Sequence, residues 1–145
     1  RFIENYFLTY PGVKTYMDAT IARAHACGYV ETLFNRRRYL PELNSRAFHE
    51  RASAERMAIN MPIQGTTADI MKVAMILIDK TLAAKQLRGR MLLQVHDDLL
   101  FEVPTEELGD LARLACQQMT GAVELQVPLV VDAKAGPNWR DLQGL

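Results

Sequence analysis

Asp97 and Asp98 stand side by side in Leu92-Leu93-Gln94-Val95-His96-Asp97-Asp98-Leu99-Leu100-Phe101-Glu102-Val103, an apolar run rich in Val, Leu and Phe. The run reads as two short strands, with the acidic pair where the chain turns between them. Like charges flanked by buried strands repel each other and lose solvation, so such a pair calls for a cation. Carboxylate oxygens suit a hard ion such as Mg²⁺, which keeps several waters and shares its shell with substrate phosphates. The plainer reading is turn chemistry, because an Asp side chain bonds nearby backbone groups and favours turns. His96 precedes the pair, and a lone His is more often structural than catalytic.

A second pattern lies upstream. Arg56, Asn60 and Gln64 recur at steps of four in Glu55-Arg56-Met57-Ala58-Ile59-Asn60-Met61-Pro62-Ile63-Gln64-Gly65-Thr66-Thr67-Ala68-Asp69-Ile70. On a helix that spacing puts Arg56 and Asn60 on one face. Pro62 is expected to interrupt the ladder before Gln64 is reached. A row of donors suits the minor groove of DNA, where every base pair offers acceptors at nearly equivalent places. Such a row would test the shape of a pair without reading its sequence. The competing reading is the polar outer face of an amphipathic helix.

Arg36, Arg37 and Arg38, next to Tyr39, form the only dense basic cluster. Each guanidinium offers a fork that fits phosphate. Alternatively the three decorate a solvated hairpin loop, one of them pairing with Glu31 or Glu42. Net charge is zero, but residues 1–60 carry nine Lys/Arg against six Asp/Glu, and the remainder eight against eleven. A basic front and an acidic back fit phosphates approaching one part and metal ions another.

These residues need elements to position them. Phe2 to Tyr10 reads as a helix, Pro11-Gly12 as a turn, and Val13 to Ala26 as a helix ending near Gly28, a left-handed cap. Tyr29 to Phe34 and Arg37 to Leu40 read as a small hairpin turning at Asn35. Pro41 to Ser45 is a connector, with Ser45 capping a helix to about Asn60. Thr66 to Ala84 is a long helix, apolar on most sides, which predicts burial in a core. After the acidic hairpin, Thr105 with Glu106 and Glu107 opens a helix to about Thr120. Val127 to Ala135 reads as one more strand. The expected fold is α+β: an antiparallel sheet with the acidic hairpin packed on long helices, preceded by a helical part with a small hairpin.

Composition sets bounds. With 145 residues and 49% hydrophobic content the chain can bury a sizeable core. Cys27 and Cys116 lack metal-ligand spacing and read as reduced, partly buried thiols. Val73 to Ile78 is too short to span a bilayer, and no signal peptide is visible, so no membrane partner and a cytoplasmic location are expected. The opening Arg1-Phe2-Ile3-Glu4-Asn5-Tyr6-Phe7-Leu8 is already in helical rhythm, as if cut from a longer polypeptide.

Taken together, the segments resemble the A-family DNA polymerases. Tyr29 to Phe34 with Arg36-Arg37-Arg38-Tyr39-Leu40-Pro41 looks like the fingers hairpin of that family, with Asn35 where relatives usually have Gly. Glu55 to Ile70 looks like the helices bordering the primer–template duplex, and Gln94 to Glu102 like the third catalytic motif. Pro128-Leu129-Val130 and Gly136-Pro137-Asn138-Trp139 match the C-terminal strand and tail. The resemblance implies residues 1–55 as the C-terminal part of the fingers and 56–145 as the C-terminal part of the palm. It implies template-directed DNA synthesis in the intact protein, with primer–template DNA and deoxynucleoside triphosphates as partners and two Mg²⁺ ions as cofactor. Asp97 matches the catalytic, metal-binding Asp; Asp98 stands where relatives usually carry Glu, one methylene longer. Arg56, Asn60, Gln64 and His96 would lie against the duplex, joined by Arg36, Arg37 and Arg38.

The family also uses an Asp on an upstream strand and a basic fingers helix, and neither is found in these residues. The chain alone is therefore expected to polymerise nothing, and apolar surface left uncovered would favour self-association. Two competing classes are a non-catalytic DNA-binding or structural module and an acidic-hairpin nuclease. The nuclease would need further carboxylates or His near Asp97.

Overall fold

The computed structural model describes residues 2–145. The chain divides at Thr67/Ala68 into two compact units.

In the first unit, α1 (Phe2–Thr9) has no buried residue. Pro11 opens α2 (Pro11–Cys27) directly, so the expected turn at Pro11-Gly12 is the first turn of a helix instead. The proline ring presets the helical φ, and its missing N–H is one the first turn does not use. Gly28 ends α2 at φ 77°, its N–H donating to the Ala24 carbonyl at 2.8 Å, a left-handed stop of the kind expected there. β1 (Tyr29–Glu31) and β2 (Arg37–Tyr39) then pair antiparallel, with Tyr29 opposite Tyr39. Asn35 takes φ 60° in the connection, which Asn tolerates better than most residues. A 3₁₀ turn over Pro41–Asn44 follows. Ser45 then holds the approach to the next helix: its hydroxyl accepts the Ala47 N–H at 3.1 Å and donates to Glu50 at 2.6 Å.

The core here is Ala24, Val30, Leu40, Leu43, Ala54, Ala58 and Met61. Three of these, Ala24, Ala54 and Ala58, are alanines with no exposed surface. Leu40, 1% exposed, supplies the largest buried side chain of this group.

α3 runs unbroken over Phe48–Ala84, 37 residues with Pro62 inside. The expected break between Asn60 and Thr66 is therefore corrected to one continuous helix. Proline costs a helix interior about 3 kcal/mol through its missing N–H and its clash with the carbonyl four residues back. Packing on both sides of it offsets that cost: Ala58 and Met61 are buried before Pro62, and Thr66 after it.

In the second unit, Met71, Ala74, Ile78 and Leu82 form one buried stripe along α3, while Ile76 remains 55% exposed. The helix is thus covered on one face, not on most sides as its composition suggested. Its core partners come from the second strand of the acidic hairpin (Leu99, Phe101), from the helix that follows it (Leu111, Leu114, Ala115, Met119) and from the connections at Leu87 and Val103. α3 ends with Gln86 at φ 53°, Gln86 N–H on Ala83 O and Leu87 N–H on Leu82 O, the paired bonds of a Schellman stop.

β3 (Arg90–Val95) and β4 (Asp98–Glu102) pair antiparallel, with a bulge between Met91 and Leu93. α4 (Leu108–Thr120) follows a 3₁₀ turn over Thr105–Glu107. Thr105 thus opens the 3₁₀ turn that leads into the helix, and no side chain caps either element. The tail also departs from expectation. Of Val127 to Ala135 only Lys134–Ala135 is strand (β5), paired with Gln143–Gly144 (β6). Val127 and Val130 are 67% and 81% exposed, for no strand among the described residues lies beside them. The fold is α+β with antiparallel pairing, distributed over three separate two-stranded sheets. Both cysteines are free; Cys116 is half-buried as expected, but Cys27 is exposed at the end of α2.

Candidate functional site

The acidic hairpin is tight. Val95 pairs with Asp98, so His96 and Asp97 alone make the turn, and Asp98 is the first residue of β4. Strand alternation stops at Val95, so it does not set His96 and Asp97 on opposite sides, as uninterrupted strand geometry would have done. His96 takes φ 56°, the left-handed region that a two-residue hairpin demands of its first central position. The Gln94 side-chain amide donates to the His96 carbonyl at 3.0 Å, holding the first residue of the turn from β3.

His96, Asp97 and Asp98 are all exposed, and Leu92, Leu93 and Val95 are 50%, 49% and 37% exposed. The premise that buried strands flank the aspartates is thus corrected. A sheet of two strands with one covered face leaves its turn in water. Among the described residues no third His, Cys, Asp or Glu joins the pair to form a metal-holding group. The donor set is nonetheless two hard carboxylates at one apex, which fits a Mg²⁺ ion completed by water and phosphate oxygens.

The donor row belongs to a different kind of support. Because α3 is continuous, Arg56, Asn60 and Gln64 all lie on one helix, and all three are exposed. Steps of four on an α-helix drift by only about 40° each, so the three share a broad face. Pro62 does not remove Gln64 from that face.

The three arginines are already engaged within their own unit. Arg36 donates to the Gly65 carbonyl at 3.0 Å. Arg37 pairs with Glu31 at 2.8 Å and lies 4.5 Å over the Tyr29 ring. Its guanidinium is held above its ordinary pKa, first by the Glu31 hydrogen bond. Arg38 reaches the Met57 sulfur at 3.4 Å. Glu31, the pairing partner allowed for in the plainer reading, also accepts Arg23 at 2.8 Å.

Several supporting residues carried no signal of their own. Thr32 and Thr66 are 4% and 7% exposed. The Thr66 hydroxyl accepts the Leu33 N–H at 3.0 Å and donates to the Pro62 carbonyl. Below the acidic hairpin, Glu107 accepts the Arg88 and Gly89 backbone N–H groups at 2.8 and 3.3 Å and the Arg88 side chain at 2.9 Å. Glu106 also pairs with Arg88. The Arg88 hydrogen bond holds the Glu107 carboxyl below the usual carboxylate range. A single Thr or Arg in a sequence looks like any surface residue; only the spacing of Pro62 and Thr66, four apart, hinted at a back-bond.

The model of DNA polymerase family A matches residues 1–141. The chain belongs to that family. It is 53% identical over 141 residues to a DNA polymerase I of Geobacillus stearothermophilus, covering 97% of this chain and 16% of that relative. With the DNA polymerase I of Lactococcus lactis subsp. cremoris it shares 51% identity over 139 residues, 96% of this chain and again 16% of the relative. In structure it is similar to the POL domain of Pol1 from M. smegmatis, solved in complex with DNA primer-template and dNTP. That match has a TM-score of 0.86 at 49% identity and covers 88% of this chain and 22% of that one. The chain thus spans about one-sixth of the length of the curated family A relatives it matches. Among the described residues no helix is long and apolar enough to cross a membrane.

Proposed function

We propose that this chain serves template-directed DNA synthesis, as a section of a family A polymerase that carries part of the nucleotidyl-transfer site and a duplex-contacting row. The observation that carries the reading is family membership over residues 1–141. It joins two sets of side chains left exposed: the Asp97-Asp98 apex and the Arg56-Asn60-Gln64 row. In this reading residues 1–55 are the end of the fingers and 56–145 the end of the palm.

Asp97, with Asp98 beside it, would hold Mg²⁺, two ions being used when the polymerase site is complete. The chemistry such ions supply is a lowered proton affinity at the primer 3′-hydroxyl and neutralised charge on the departing pyrophosphate. Asp98 keeps the charge of the longer Glu usual in relatives, with one methylene less reach. His96 lies beside Asp97 in the turn and faces the primer end in this reading.

Arg56, Asn60 and Gln64 donate to minor-groove acceptors. Arg56 to Gln64 spans about 12 Å of helix, or three to four base-pair steps of ~3.4 Å. Because those acceptors are placed alike in all correct pairs, the row senses pair shape. Arg36, Arg37 and Arg38 contribute positive potential to phosphates, with less of their hydrogen-bonding capacity free for direct contact. Two carboxylates do not complete a two-metal site, so the 145-residue chain by itself adds no nucleotide.

The test grafts residues 1–141 into the matching segment of the Geobacillus stearothermophilus polymerase. The graft is expected to extend a primer, Asp97→Ala to abolish incorporation with duplex affinity nearly unchanged, and Gln64→Ala to weaken duplex binding or fidelity. Full incorporation by Asp97→Ala would sink the catalytic reading and leave a DNA-binding module. Primer extension by the purified 145-residue chain would overturn the claim that it is inactive alone.

A further inference from the structure

Pro62 leaves α3 one hydrogen bond short two residues before Gln64, and a helix that loses such a bond is free to bend there. The loop from Thr32 to Arg36 closes on that turn. Leu33 N–H donates to the Thr66 hydroxyl at 3.0 Å, and that hydroxyl donates onward to the Pro62 carbonyl. Arg36 donates to the carbonyl of Gly65, the residue next to Gln64, at 3.0 Å.

The loop is itself shaped for this contact. The Thr32 hydroxyl accepts the Phe34 and Arg36 N–H groups, each at 3.2 Å, and Asn35 turns the chain at φ 60°. Gly65 makes the approach possible: a Cβ there would lie 2.7 Å from Thr32 Cγ2 and 3.3 Å from the Arg36 guanidinium. The contacts at Pro62, Gly65 and Thr66 bracket the single turn of α3 that carries Gln64.

We infer that the Thr32–Arg36 loop is a clamp that sets the direction of Gln64, with Thr66 as its central positioning residue. The inference rests on the reading of Gln64 as a minor-groove contact and deepens it. Thr66 touches no nucleic acid in this account; it acts through the helix turn. The basic hairpin therefore bears on how a primer terminus is judged, even where its arginines bind no phosphate.

The experiment uses the grafted polymerase and compares single-turnover extension of matched and mismatched primer termini, with melting temperature recorded in parallel. Thr66→Val keeps size and removes the hydroxyl; Thr66→Ser keeps the hydroxyl. Thr66→Val should lose matched-over-mismatched discrimination about three- to tenfold, the scale of one neutral hydrogen bond. Thr66→Ser should restore it to within about twofold on the same scale. Thr66→Val should add no further loss on top of Gln64→Ala.

Arg36→Met is exposed and leaves the buried threonines in place, so it remains informative if Thr66→Val does not fold. It should show a smaller loss in the same direction. If Gln64→Ala loses discrimination while Thr66→Val and Arg36→Met keep it, the clamp is wrong and the minor-groove reading stands. If Gln64→Ala itself keeps full discrimination, the minor-groove reading fails and the clamp with it. A fall in melting temperature with unchanged discrimination reduces Thr66 to a structural role and overturns the inference.

Discussion

The two hairpins of this chain have opposite designs. The β1–β2 connection is fastened to α3 through Thr66 and Gly65, and its arginines already have partners at Glu31, Gly65 and Met57. The β3–β4 turn is held by a side-chain bond from Gln94 to the His96 carbonyl, and its two aspartates stand in water. A polar group satisfied inside the molecule contributes to shape, whereas one left exposed at a rigid apex is available to a ligand. By that measure the basic hairpin is a support, and the acidic one is a tip whose carboxylates are left open to a ligand. Density of charge alone would have ranked them the other way.

The sharpest way to break the contrast is at the tip. Asp97→Ala in the grafted polymerase should cut the single-turnover rate by about a thousandfold or more, roughly 4 kcal/mol of barrier, consistent with the worth of metal-held charge. Duplex affinity should stay within a factor of two on the same free-energy scale. A comparable rate loss from Arg37→Ala would erase the distinction between tip and support.

Next come the two cores that carry the hairpins. Ile78 is fully buried under β3–β4, and Leu40 is 1% exposed in the first unit. Either residue changed to Ala should cost about 2–5 kcal/mol in urea unfolding. If the units unfold as separate steps, each variant shifts only its own transition. Gly65→Ala should cost about 1–3 kcal/mol through overpacking against Thr32, a penalty that no surface glycine would carry.

Smaller effects follow at the base and apex of the acidic hairpin. Glu107 and Glu106 have folded-state pKa values below the ordinary 4.5, for Glu107 chiefly through the Arg88 hydrogen bond and for Glu106 first through its own backbone N–H. A lowered carboxylate pKa contributes stability above the unfolded value and loses it as pH falls through the folded one. Melting temperature should therefore drop below about pH 4.5, and Glu107→Gln should flatten that acid limb. Least of all, His96→Gly should leave stability unchanged or raise it by up to ~1 kcal/mol, since glycine meets φ 56° without a Cβ penalty. A clear loss there would mean that the imidazole contributes packing as well as position.

Much of this was readable from residue order. The helix stop at Gly28, the turn at Asn35 and the strands meeting at Asp97 are local matters, decided by backbone sterics within a few residues. Family membership was readable for a different reason: several segments occur in one order with similar gaps. The errors cluster where partners are distant. Pro62 predicted a break because its cost is local, while the packing that offsets it comes from the Thr32–Arg36 loop and from α2. Val127 to Asp132 has strand composition but no strand beside it among the described residues.

The sequence by itself determined the chemistry on offer: two adjacent carboxylates, a row of donors at helical spacing, and the stops and turns that frame them. Those follow from side-chain type and short-range backbone preference. Only the tertiary structure decided that α3 is continuous, that Gln64 shares a face with Arg56 and Asn60, and that the arginines are tied down while the aspartates are not. Those depend on contacts between residues far apart in the chain, where packing energy outweighs local propensity.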